Sequence, residues 1–165
     1  MARKIADREL LPSVIDRLID REPHNRNEAQ SARAQSIKEL KDSIRRDLEW
    51  LLNTRRSPAE PPATARELWR SVYCYGLPDI TGMAVQSSED QTRLARTVES
   101  TIAAFEPRLL NVTVSLLPSN PGSRRLRFKI EALLRTDPVP ARISFDTTLE
   151  LTSGEYDVED ESRAR

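Results

Sequence analysis

Glu106, Pro107 and Arg108 place a carboxylate and a guanidinium on either side of a residue that fixes its own φ and has no backbone donor. The planar fork of an arginine matches a carboxylate in two parallel hydrogen bonds. Glu106 and Arg108 can therefore pair with each other, with the rest of the fold, or with a complementary ion pair on a partner. The residues alone leave these three open. A plain surface ion pair at a helix end would contribute well under about 1 kcal/mol to stability; a stiff corner with opposite charges suits docking better than catalysis. A neighbouring cation also favours the ionised carboxylate, the opposite of what a general acid needs.

Glu131, Asp146 and Glu150 form the other set worth weighing, because glycosidic hydrolysis requires two carboxylates flanking a cleft. Their neighbours alternate between acidic and basic residues on what reads as a flat, wet face, and such a face keeps carboxylates ionised. Cys74 is the single cysteine and His24 the single histidine. That excludes disulfides and Cys/His zinc clusters and leaves little for a nucleophile with an imidazole base. Neither G-x-x-x-x-G-K-[ST] nor G-x-G-x-x-G spacing occurs, so no phosphate cradle is expected. No catalytic, metal-ligating or cofactor-binding residue is assigned, and the chain reads as a non-enzyme.

The elements that must hold the corner follow from apolar periodicity. Leu10, Leu11, Val14, Ile15, Leu18 and Ile19 have helical spacing over residues 7–20, with Pro12 tolerable only in the first turn. Residues 21–35 read as an exposed connection. From Ser36, whose spacing to Glu39 is that of a capping box, a second helix carries Ile37, Leu40, Ile44, Leu48, Leu51 and Leu52 on one face. Arg45, Arg46, Arg55 and Arg56 read as a solvated face, or as a surface for an acidic partner where the helix end is exposed. Residues 57–65 form an internal Pro-rich linker. A brief turn is expected around Leu68 and Trp69, then an ordered loop over 73–82 laid against the core. Ser88 and Gln91 have capping-box spacing for a third helix, with Leu94, Ala95, Val98, Ile102 and Phe105 in period. Pro107 biases Glu106 away from helical geometry, so this helix must end at the corner.

Beyond Arg108 the period changes to two. Val112, Val114 and Leu116 alternate with polar residues. After the turn signal at 118–122 come Leu126, Phe128, Ile130, Ala132 and Leu134, and past Asp137-Pro138 come Val139, Ala141, Ile143, Phe145, Thr147, Leu149 and Leu151. The fold class is therefore α+β: N-terminal helices and one central helix packed on a three-stranded antiparallel meander in the C-terminal half. An unpaired edge strand of such a meander is a docking site in an assembly. Residues 1–153 read as one domain, and 154–165, rich in Glu and Asp, as a disordered acidic tail.

Lys+Arg and Asp+Glu both number 26 among 165 residues, so there is no global attraction to nucleic acid or to an anionic membrane. The first residues run into charge without an apolar signal segment, and no stretch approaches the roughly 20 apolar residues of a membrane span. The cytoplasm is the expected compartment. A hydrophobic share of 38% beneath a charged share of 32% builds a modest core and suits a part of a larger assembly.

Laid out in this order, the chain resembles the TssE family, the baseplate subunit of bacterial type VI secretion systems, which is similar to the wedge protein of contractile phage tails. The resemblance rests on Leu10-Leu11-Pro12-Ser13-Val14-Ile15-Asp16-Arg17-Leu18 and on Glu39-Leu40-Lys41 through Arg46-Asp47-Leu48-Glu49-Trp50-Leu51-Leu52-Asn53-Thr54-Arg55. It continues through Ser71 to Tyr75-Gly76-Leu77-Pro78-Asp79 and ends on Phe105-Glu106-Pro107-Arg108. Cys74 stands where the family has a polar residue such as Asn, and the acidic tail has no counterpart. The resemblance implies a non-enzymatic connector between the wedge proteins TssF, TssG and TssK and the TssB/TssC sheath, in a baseplate docked at the inner membrane. It further implies that Glu106, Pro107 and Arg108 bind partners, and that a free strand edge templates the first sheath layer. Members of the family are often labelled lysozyme-like, so a peptidoglycan-cleaving enzyme is the alternative that Glu131, Asp146 or Glu150 would have to carry.

Overall fold

The computed structural model describes residues 37–80, 87–118, 123–136 and 139–160. The helix expected over 7–20, the connection that follows it, His24 and the Ser36 cap lie outside these residues, as do parts of both inter-strand turns.

Helix α1 (Ile37–Asn53) forms where the 3.6-residue stripe predicts it. Leu40, Ile44, Leu48, Leu51 and Leu52 are all essentially inaccessible. Burying each such side chain is worth about 1.5–3 kcal/mol, so packing of this stripe, more than intrinsic propensity, holds the helix. Helix α2 (Ser88–Phe105) buries Leu94, Ala95, Val98, Thr101 and Ile102. Its cap is Ser87, one residue earlier than the expected Ser88, with the side chain accepting from the Asp90 N–H at 3.5 Å. Two serines in succession made the register ambiguous. The helix stops at Phe105, and Glu106 leaves helical geometry at φ −117°, ψ 81°, as the following proline demands.

Strands β1 (Leu109–Leu117), β2 (Arg125–Leu134), β3 (Ala141–Glu150) and β4 (Glu155–Asp160) form one antiparallel meander in the order β1-β2-β3-β4. The α+β class holds, with a four-stranded sheet in place of the expected three. The extra strand comes from the segment read as a disordered tail. Glu155, Asp157 and Glu159 face solvent while Tyr156 and Val158 are buried, and a turn through Gly154 at φ +74° folds the segment back on β3. Composition averaged over the tail concealed a period of two. Val139, expected on the buried face of the third run, is instead 70% exposed and precedes β3.

Phe128, Ile130, Leu134, Phe145, Leu149 and Val158 line the covered face of the sheet. Helix α2 packs against β1 and α1 against β4. Between Leu110 and Thr113 the register slips, so that Asn111 and Val112 together face Ala132. Asn111 takes φ +52° there, a left-handed conformation that Asn adopts more readily than most residues. The bulge lets both Leu109 and Val114 point into the core.

Residues 57–65 run without regular structure, and the chain is then pinned back on the end of α1. Leu77 N–H donates to Thr54 O at 2.8 Å and Arg56 N–H to Leu77 O at 2.9 Å. Two short 3-10 turns, Leu68–Arg70 and Val72–Cys74, realise the turn expected around Trp69. Among the described residues no helix is long and apolar enough to cross a membrane.

Candidate docking site

The corner after α2 is closed by its own side chains. Glu106 is only 6% exposed. Its Oε1 accepts from Arg108 Nε at 2.6 Å and from the Arg108 backbone N–H at 3.2 Å, while Arg108 Nη2 donates to Oε2. The same guanidinium reaches across to α1, donating to Asp47 Oδ2 at 2.6 Å and to Ser43 Oγ at 3.3 Å. The Arg108 carbonyl accepts from the Arg135 N–H at 2.9 Å, joining the corner to the end of β2. Of the three pairings open to Glu106 and Arg108, the structure shows the first two. Pro107, between them, is exposed.

Ser43 and Asp47 escaped the sequence reading as members of this site. They lie four residues apart on α1 beside the apolar pair Ile44 and Leu48, so polar residues bordering a buried stripe were the available signal. Nothing local pointed to an arginine 61 residues further along as Asp47's partner. Tyr75 closes another side, its ring edge-on to Phe105 with centroids 5.4 Å apart.

Burial opposes the Arg108 charge, but the hydrogen bonds and charges of Glu106, and then those of Asp47, outweigh it and hold the guanidinium above its ordinary range. Tyr75 is raised by burial and by the negative charges of Asp47 and Glu106, and Tyr156 by burial alone. Both phenols ionise less readily folded than unfolded. Stability from this source is complete below the ordinary tyrosine pKa of 10.0 and is lost as pH rises through the folded values. Urea midpoints should therefore hold level up to about pH 10 and fall above it, and Tyr156→Phe should flatten the fall. An unchanged slope in that variant would place the alkaline transition elsewhere.

Glu131, Asp146 and Glu150 lie on the open face of the sheet. Register places Asp146 opposite Lys129, Glu150 opposite Arg125 and Glu131 opposite Ser144. Arg125 Nε donates to Glu150 Oε2 at 2.6 Å. The three are spread along β2 and β3, two of them opposite cations, and they do not flank an enclosed cleft. Among the described residues no group of three His, Cys, Asp or Glu side chains is placed to hold a metal ion. Cys74 is a buried free thiol.

The two edges of the sheet differ. Tyr156, on the outer edge of β4, has both backbone groups taken by Asn53 of α1: Tyr156 N–H donates to Asn53 Oδ1 at 2.9 Å, and Asn53 Nδ2 donates to Tyr156 O at 2.8 Å. Arg45 Nη1 donates to Val158 O at 3.3 Å. Helix α1 thus supplies side-chain amide and guanidinium in place of a fifth strand. On β1 the alternation of an antiparallel ladder turns the backbone of Val114 and Leu116 away from β2. Glu99 Oε2 accepts from Val114 N–H at 3.3 Å. Among the described residues the outward groups of Leu116 have no partner.

A family model described as "Baseplate wedge protein gp25" matches residues 38–139. That span takes in α1, the closed corner, β1 and β2. No curated protein and no solved structure matches the chain.

Proposed function

Because the chain belongs to the family of baseplate wedge protein gp25, we propose that it connects the wedges of a type VI secretion baseplate to the contractile sheath and seeds sheath assembly. Its role is structural and not enzymatic, as a subunit of a contractile, phage-tail-like baseplate. On this reading the wedge partners are TssF, TssG and TssK, the sheath partners are TssB and TssC, and the site of action is the cytoplasmic baseplate at the inner membrane. Glu106, Pro107 and Arg108 act as one docking corner. The two charged side chains brace it against α1, and Pro107 is its outermost part.

The observation that carries the reading is the asymmetry of the sheet edges. An added strand contributes a row of main-chain hydrogen bonds only where donors and acceptors face outward unpaired. On β4 both outward groups of Tyr156 are bonded to Asn53 and the Val158 carbonyl to Arg45, whereas among the described residues β1 retains those of Leu116. β1 is therefore the edge that receives the first sheath strand and sets its register.

Sheath polymerisation seeded by a reconstituted baseplate tests this. A proline is tolerated on an edge strand where its missing N–H faces outward. Leu116→Pro should abolish seeding while wedge binding persists. Asn53→Ala, which opens the β4 edge instead, should seed as the wild type does. Seeding that survives Leu116→Pro in a folded sample would remove β1 from the mechanism.

A further inference from the structure

Four large apolar side chains stand in solvent within six residues of one another: Val72 is 89% exposed, Tyr73 42%, Leu68 41% and Trp69 36%. Single exposed apolar residues are ordinary, but a cluster containing two aromatic rings marks an interaction surface.

The cluster rides on successive closed turns. Leu68 N–H donates to Ala65 O, Arg70 N–H to Glu67 O, Ser71 N–H to Leu68 O, Cys74 N–H to Ser71 O and Tyr75 N–H to Val72 O, all between 3.0 and 3.2 Å. The Ser71 hydroxyl adds a bond to Leu68 O at 2.8 Å and accepts from Tyr73 N–H at 3.2 Å. Beneath the turns Cys74 and Leu77 are buried, and Tyr75 rests on Phe105. The platform is ordered before any partner arrives, so binding does not bear the cost of ordering it.

Its chemistry specifies the partner. Aromatic rings and arginine are the residues that dominate binding at interface centres, and Arg66 and Arg70 are exposed on the same stretch with Glu67 as its one acid. We propose that Leu68, Trp69, Val72 and Tyr73 form a second docking surface, which receives an apolar segment of another wedge protein bordered by carboxylates that meet Arg66 and Arg70. The proposal rests on the assembly reading above. A second copy of this chain fits less well, because a two-fold contact would bring the same pair of arginines against its own equivalents.

The test is the affinity of the full chain for its purified wedge proteins, measured for wild type, Val72→Asp and the double variant Arg66→Glu/Arg70→Glu, with thermal melting of each isolated chain. Val72→Asp should leave melting unchanged and weaken wedge binding by about tenfold or more. The double charge reversal should weaken it by an amount that shrinks as salt is raised. Wild-type binding that Val72→Asp leaves intact would overturn this surface and leave the corner and the β1 edge untouched. A melting shift in isolated Val72→Asp would overturn it by showing the patch covered by the chain itself. A concentration-dependent dimer lost in Val72→Asp, with wedge affinity unchanged, would overturn it in favour of self-association. A wild-type chain that binds no wedge protein would remove the assembly reading and this inference with it.

Discussion

Arg108→Ala should lower the unfolding free energy by about 3 kcal/mol, the lower end of the cost of breaking a buried ion pair by removing one partner. Glu106 would keep its burial and lose the hydrogen bonds that both its oxygens receive from the guanidinium. Asp47 and Ser43 on α1 would lose their link to the corner in the same step. The lower end applies because the side chains of Arg108 and Asp47 remain 19% and 17% exposed, which lets water repair part of the loss. Arg108→Lys should recover little, since one ammonium cannot span the two carboxylates as the planar fork does. Urea unfolding of Arg108→Ala, Asp47→Asn and the double variant measures the coupling directly, and it should exceed about 1 kcal/mol. The arginine's raised pKa has a defined sign in this account. Its contribution is complete at every pH below the ordinary arginine range and is lost only above it, so titration to pH 10 should not open the corner. An Arg108→Ala protein within about 0.5 kcal/mol of wild type would mean a loose surface pair whose charges are available to a partner. Pro107→Glu, at the exposed residue between them, is the companion variant, able to disturb docking without unfastening the corner.

Replacing Gly76 by alanine should cost a similar amount for a different reason. Gly76 holds φ +101°, and a Cβ built there would lie 2.2 Å from the Thr54 carbonyl oxygen. The positive φ alone costs an L-residue roughly 1–2 kcal/mol, and the clash, which backbone must relieve, adds about 1–3 kcal/mol. The obstructed carbonyl is the one that accepts from Leu77 N–H, so relief means loosening the bonds that pin residues 72–80 to the end of α1. For a chain of this size a loss of about 3 kcal/mol lowers the melting temperature by roughly 6–12 °C. Wedge affinity should fall as well, since the platform beneath Val72 and Tyr73 loses its anchor. Gly154→Ala provides the comparison: φ is +74°, but the nearest atom to the added methyl is Arg55 Nη2 at 3.7 Å, leaving the conformational cost alone. Equal stability of the two variants would show that the Thr54 contact relaxes freely.

Helices α1 and α2 and strands β1, β2 and β3 were legible because each buries one face, and burying one face imprints a period of 3.6 or 2 on the chain. The end of α2 was legible from Pro107, which acts on its neighbour through local sterics. β4 was legible in principle, since Tyr156 and Val158 alternate with acids, but the net acidity of the segment outweighed two apolar residues. That misreading shows why composition fails over short spans: a strand needs its alternate residues apolar, whatever the others are.

The chemistry of the corner was only half legible. Residue types alone established that Glu106 and Arg108 sit on a rigid bend with a geometry suited to pairing, and motif order carried the resemblance that the family model then bore out. Whether the charges face a partner or the fold was decided by tertiary structure, when α1 stacked over the corner and brought Asp47 and Ser43 to the guanidinium. Packing likewise decided how the β4 edge is covered, because Asn53 reaches Tyr156 only once the helix lies along β4. Local sterics and periodicity act over a few residues and are written in the sequence. Ion pairs and edge bonds between segments 61 and 103 residues apart depend on how whole elements stack, and that follows from burial summed over the entire core.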